Sequence, residues 1–126
     1  MKYMLLIYSA EDSWTREEWE RCAADSTALC HELAARGQYR GASPLQGIAT
    51  ATSVRVRDGK RLVTDGPFAE TAEQLGGYFL IEADDLDQAI EIAGRISGAA
   101  RGTVEVRPIV ELPGLPASEV AAAAEA

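Results

Sequence analysis

The segment Asp65-Gly66-Pro67-Phe68 is the part of this sequence best suited to hold a reactive group. Proline fixes its own φ and glycine permits a tight turn, so an aspartate placed before them is presented at a defined angle where a strand ends. Beside an apolar cavity, loss of water would raise the pKa of Asp65 toward a value useful for general acid or base catalysis. Aspartate before glycine also commonly bonds to nearby backbone N–H groups, and the residues alone leave both readings open. Glu70, Glu73, Tyr78 and Arg107 form a candidate substrate-binding lining, with carboxylates to accept protons, a phenol to donate one and a guanidinium to clamp an anion. Taken singly, each is more commonly a solvated loop or strand residue.

Other chemistries find less support. The three acidic residues between Asp65 and Glu73 offer oxygen ligands but have neither EF-hand spacing nor neighbouring Cys and His, so no metal site is assigned. There is no phosphate-binding glycine loop, nucleophile elbow or zinc motif, and no cofactor is expected; Gly76-Gly77 reads as the entry to a strand. Cys22 and Cys30 fall on one predicted helix, where eight residues span about 12 Å, beyond the roughly 7 Å that a disulfide tolerates. Both are expected to be reduced and to serve as small apolar side chains. His31, the single histidine, lies about 120° around that helix from Trp19, which places it off the apolar stripe as a surface residue.

These residues need elements to position them. Lys2 to Tyr8 is a short run of large apolar groups that suits a buried strand. Thr15 and Glu18 have capping-box spacing, and Trp19, Cys22, Ala23, Cys30, Leu33 and Ala34 then recur at helical steps until Gly37. Gln38 to Leu45 reads as an irregular strand or extended loop. Thr52, Val54 and Val56 alternate with Ser53, Arg55 and Arg57, and Asp58-Gly59 turns the chain back through Arg61 to Thr64, giving a hairpin with one solvated face. A polar loop from Asp65 to Leu75 precedes the apolar strand Tyr78 to Ile81. Asp85 caps a second helix carrying Leu86, Ala89, Ile90, Ala93 and Ile96, ended by Ser97-Gly98, and Thr103 to Arg107 forms the last strand.

This order of strand, helix, hairpin region, strand, helix and strand predicts an α+β, ferredoxin-like sandwich with two helices on one face of an antiparallel sheet. The 126 residues, 47% hydrophobic, suffice for one core. One domain over 1–113 is expected, followed by a flexible C-terminal tail, 114–126. A formal charge of −8 argues against nucleic acid as a partner. The apolar run at the N-terminus is too short for a signal peptide or a membrane span, so a cytoplasmic protein that does not engage the membrane is expected.

In Met4 to Ile7 and Tyr78 to Ile81 both strand faces are apolar, whereas a sheet with one wet face should alternate. A second subunit is the economical cover, which predicts a homodimer; the alternative is that the tail or the Asp65 to Leu75 loop folds over that face. Asp65-Gly66-Pro67-Phe68-Ala69-Glu70-Thr71, followed by Glu73-Gln74-Leu75-Gly76-Gly77-Tyr78, resembles the signature of the DGPF branch of the YCII-related proteins. Leu86 to Ile90 and Val104 to Pro108 are similar to its later helix and last strand. That resemblance implies a dimeric α/β barrel and, for many members, a gene beside an extracytoplasmic-function sigma factor. The chain has Ala72 where the family usually carries a lysine, and His31 is not matched to the histidine of the histidine and aspartate pair proposed for the wider group.

Two functions from different classes follow. The first is a small-molecule enzyme of lyase or isomerase type, moving protons in a cavity near Asp65. The alternative is a non-catalytic metabolite-binding or regulatory dimer, associated with a sigma factor.

Overall fold

The computed structural model describes residues 1–116; of the expected tail, 117–126 lie outside the described residues, and Gly114 to Pro116 are exposed. Among the described residues there are six strands and two α-helices: β1 (Lys2–Ser9), α1 (Arg16–Ala35), β2 (Tyr39–Pro44), β3 (Thr52–Arg57), β4 (Lys60–Asp65), β5 (Gln74–Glu82), α2 (Leu86–Gly94) and β6 (Thr103–Pro108). β2, β5, β1 and β6 form, in that order, an open sheet in which every pair is antiparallel. This is an α+β architecture compatible with a ferredoxin-like fold.

Alternation along the two central strands sorts the side chains. Tyr3 and Leu5 of β1 pair in register with Ile81 and Phe79 of β5, and all four are buried. They meet Leu29 and Leu33 of α1 and Ala89, Ile92 and Ala93 of α2, so both helices lie on this face and enclose the core. The intervening residues Met4, Leu6, Tyr8, Tyr78 and Leu80 point to the other face and are half-buried. The reading that β1 and β5 are apolar on both sides therefore holds.

Local signals place the helix starts correctly. The Thr15 Oγ1 accepts the Glu18 N–H at 3.1 Å while Glu18 accepts the Thr15 N–H at 3.0 Å, a complete capping box. Asp85 caps α2 by accepting from the Gln88 N–H at 2.9 Å. The second helix is shorter than its apolar spacing predicted: it ends at Gly94, and Ile96 reaches the core from extended backbone before a short 3-10 turn at Ser97–Ala100. The Gln38 to Leu45 segment, expected as an irregular strand or extended loop, contains an edge strand, β2, whose pairing with β5 is interrupted by a bulge at Arg40.

The hairpin departs from expectation. β3 and β4 pair from Thr52↔Asp65 to Arg57↔Lys60 as a separate two-stranded ribbon. Both of its faces are solvated: every residue of the two strands is exposed except half-buried Ser53. Alternation correctly reported a strand, but no layer of the described chain lies beneath the valine face.

Candidate functional site

Although α1 is 20 residues long, it buries only Leu29 and Leu33, both in its C-terminal half. The same apolar stripe continues toward the N-terminus through Trp19, Cys22, Ala23 and Ser26, and there it meets a cleft of about 680 Å³ instead of the sheet. This volume is in the range of pockets that enclose small molecules.

Three local features hold the cleft open. On the helix side, the stripe between Trp19 and Cys30 is made of small residues, Cys22, Ala23, Ser26 and Thr27. On the opposite side Gly76, Gly77 and Gly98 contribute no side chains. A Cβ at Gly77 would sit 2.9 Å from the Ser43 carbonyl oxygen of β2, so glycine is required for the approach of these two backbones and is more than the strand entry expected. The third feature is the mouth. Glu11 accepts the Ile48 N–H at 2.8 Å and donates its own N–H to the Gln74 side chain at 3.0 Å, tying together three segments that line the opening.

The aromatic wall is fixed by polar contacts. Trp14 donates its indole N–H to the Ser9 hydroxyl at 2.9 Å, and the Arg101 guanidinium stacks 4.3 Å from the ring centroid. Arg101 also donates to the Ser13 carbonyl at 2.8 Å and pairs with Glu18. That pairing, with the two Thr15 capping contacts, holds the Glu18 carboxyl down to about 2, and Glu18 raises Arg101 in return.

The lining includes Ile7, Trp14, Trp19, Cys30, Tyr39 and Phe79 and is mostly apolar; Glu11 and His31 are its ionisable side chains besides the tyrosines and cysteines, and it includes no lysine or arginine. Burial pushes the Cys30 thiol above its ordinary value, which keeps it protonated and a poor nucleophile. Burial also raises Tyr39, with smaller contributions from Cys30 and Tyr78. Cys22 accepts a hydrogen bond from the Ser97 hydroxyl at 3.1 Å, and both cysteines are free. His31 is exposed, as its helical angle predicted, yet it stands at the cleft edge.

Of the residues singled out from the sequence, only Tyr78 borders this cleft, on β5 between Gly77 and Phe79, with its side chain alternating toward the outer face of the sheet. Asp65 ends β4, paired with Thr52 and exposed, and Glu70 is exposed in the following loop. Neither the main cleft nor a second one, lined by Tyr8, Glu73, Thr103 and Glu105, includes Asp65, so the expected cavity beside it is not found at either place. Glu73 accepts from the Thr103 hydroxyl at 2.9 Å in that second, shallow site. Arg107 is exposed on β6, opposite Met4, and lines neither cleft. Sequence reasoning missed Trp14, Glu11, Tyr39 and Gln74, and assigned Trp19, Cys22 and Ala23 to packing. The available signal was a helical stripe whose members become small just where glycines occupy the facing strand.

The fold and the cleft define a small α+β protein with an open antiparallel sheet and one apolar site under its first helix. Residues 1–113 match the model of the YCII-related domain. An uncharacterized protein of Rhizobium meliloti strain 1021 is 37% identical over 114 residues, a match covering 86% of this chain and 92% of that protein. The chain belongs to the YCII-related family. No helix among the described residues is long and apolar enough to cross a membrane.

Proposed function

We propose that this protein binds a small, largely apolar and uncharged molecule in the cleft between α1 and the sheet. The observation that carries the reading is the failure of α1 to pack along its first half: about 680 Å³ is left beside aromatic and small side chains. Binding is favoured because an apolar ligand removes that surface from water, at about 25 cal/mol for each Å² covered. Without a lysine or arginine in the lining, a carboxylate has no cation to replace its hydration, so a neutral ligand should be preferred to its anionic analogue. The exposed position of Asp65 favours the non-catalytic binding reading over proton transfer there. A homodimer formed through Met4, Leu6 and Leu80 on the outer sheet face, closing toward an α/β barrel, is part of the same proposal.

The cleft is tested with 1-naphthol and 1-naphthoate as a matched pair. Trp14 and Trp19 are the only tryptophans and both line the cleft, so intrinsic fluorescence reports occupancy directly. Saturable quenching by naphthol, with at least tenfold weaker binding of naphthoate, supports the reading. Equal affinities, or no change in emission, would count against it.

A further inference from the structure

Hydrogen bonds within the protein satisfy some of the polar side chains of the cleft and leave others open. Trp14 is paired with Ser9 at 2.9 Å, Glu11 with the Ile48 N–H at 2.8 Å and Gln74 with the Thr71 carbonyl at 2.6 Å. The Ser26 hydroxyl, the Cys30 thiol and the Tyr39 phenol also line the cleft, their residues are not fully exposed, and none of them donates a hydrogen bond among the described residues. Ser26 and Cys30 are four residues apart and so share one face of α1. Tyr39 faces α1 from β2, since it pairs with buried Ile81 and therefore lies on the helix side of the sheet. The other open groups do not compete. Trp19 and His31 are exposed to water, and Ser43 and Tyr78 are register partners that alternate toward the outer face.

The open groups offer hydrogens. Burial raises both Cys30 and Tyr39, so thiol and phenol stay protonated, and a charge on Cys30 would oppose ionisation of Tyr39 further. The Ala42 N–H lies toward the Tyr39 oxygen and takes up a lone pair, which leaves the hydroxyl hydrogen without an acceptor. An alcohol would bring another hydrogen to this group, whereas a carbonyl oxygen brings two lone pairs and no charge. We propose that Tyr39 determines the specificity of the cleft by donating its phenol hydrogen to the carbonyl oxygen of a neutral ketone, ester or lactone. The apolar body of such a ligand lies along the small-residue stripe toward Trp19, a run of eleven helical residues or about 16 Å from Cys30. The inference rests on the cleft being a binding site, as proposed above, and adds the polar group that the site selects.

The test measures 1-tetralone and its hydrocarbon counterpart tetralin by equilibrium dialysis against wild type and Tyr39→Phe. One neutral hydrogen bond corresponds to roughly a fivefold change in affinity. Tyr39→Phe should therefore weaken 1-tetralone at least fivefold and leave tetralin within twofold. Equal effects on the two ligands, or no effect on either, would overturn the proposal while the cleft reading stands on the wild-type binding. If neither ligand binds wild type, the cleft reading falls as well. A second readout holds even where the variant fails to fold. The infrared carbonyl stretch of carbon-13-labelled 1-tetralone bound to wild type should lie below its frequency in cyclohexane, and a band at the cyclohexane position would defeat the assignment of Tyr39 as donor.

Discussion

Ala23 and Ala89 are both helical alanines facing the interior of the fold, yet enlarging them should have opposite consequences. Ala89 is fully buried in the close-packed core, where Ala89→Leu inserts three carbons without room and should cost roughly 1–3 kcal/mol or more. Ala23 is half-buried at the wall of a cleft of about 680 Å³, so Ala23→Leu has space to enter. Three additional carbons contribute about 2.4 kcal/mol if fully buried, at about 0.8 kcal/mol each, and about half of that in a cleft that retains water on one side. The expected outcome is a neutral to roughly 1 kcal/mol stabilising change, measured by urea unfolding at constant m-value. The same substitution should weaken 1-naphthol binding at least tenfold. A loss of more than about 1 kcal/mol in Ala23→Leu would mean that α1 is packed along its whole length, and the binding site would have to be given up.

Three further outcomes follow. Glu18→Gln retains an oxygen acceptor for the cap but loses the charge facing Arg101. Because Glu18 sits at about 2 when folded against an ordinary 4.5, its contribution is full above about pH 4.5 and is lost as pH falls toward 2; thermal melts should separate the variant from wild type at pH 7 and converge by pH 2. Gly77→Ala places a methyl 2.9 Å from the Ser43 carbonyl oxygen, where backbone must shift, and should lower stability by about 1–3 kcal/mol in chemical unfolding, whereas Gly94→Ala, with nothing within 4 Å, should be neutral or stabilising. Asp65→Asn should leave naphthol affinity unchanged within twofold by fluorescence titration, since Asp65 lies outside the lining; a marked loss would return that carboxylate to the site.

Much of the fold was legible because local chemistry decided it. Thr15 with Glu18, and Asp85 before Leu86, mark helix starts through side-chain acceptors that the first turn requires, and both caps are formed. The doubled apolar faces of β1 and β5 were likewise visible in composition. What escaped depends on where elements meet. The period of Trp19, Cys22 and Ala23 identifies one face of α1 correctly, but periodicity is indifferent to whether that face touches a sheet or a void. Alternation in Thr52 to Arg57 similarly established a strand without saying whether the valine side was covered. Asp65 drew attention through the turn chemistry of Gly66 and Pro67, which is local, while the site was built by distant glycines and small helical residues whose meaning appears only when Gly77 and Gly98 are brought beneath α1.

The occupancy of this cleft can be read most directly from the two indole N–H signals in a nitrogen-15 NMR titration with 1-naphthol. Trp14 donates to Ser9 and Trp19 lies on the facing stripe, so both indole resonances should move along one saturable curve, together with the amides of Cys30 and Tyr39. The amides from Asp65 to Thr71 should remain in place. Stationary indoles, with changes gathered instead around Asp65 and Phe68, would contradict the assignment of the binding site to the space beneath the first helix.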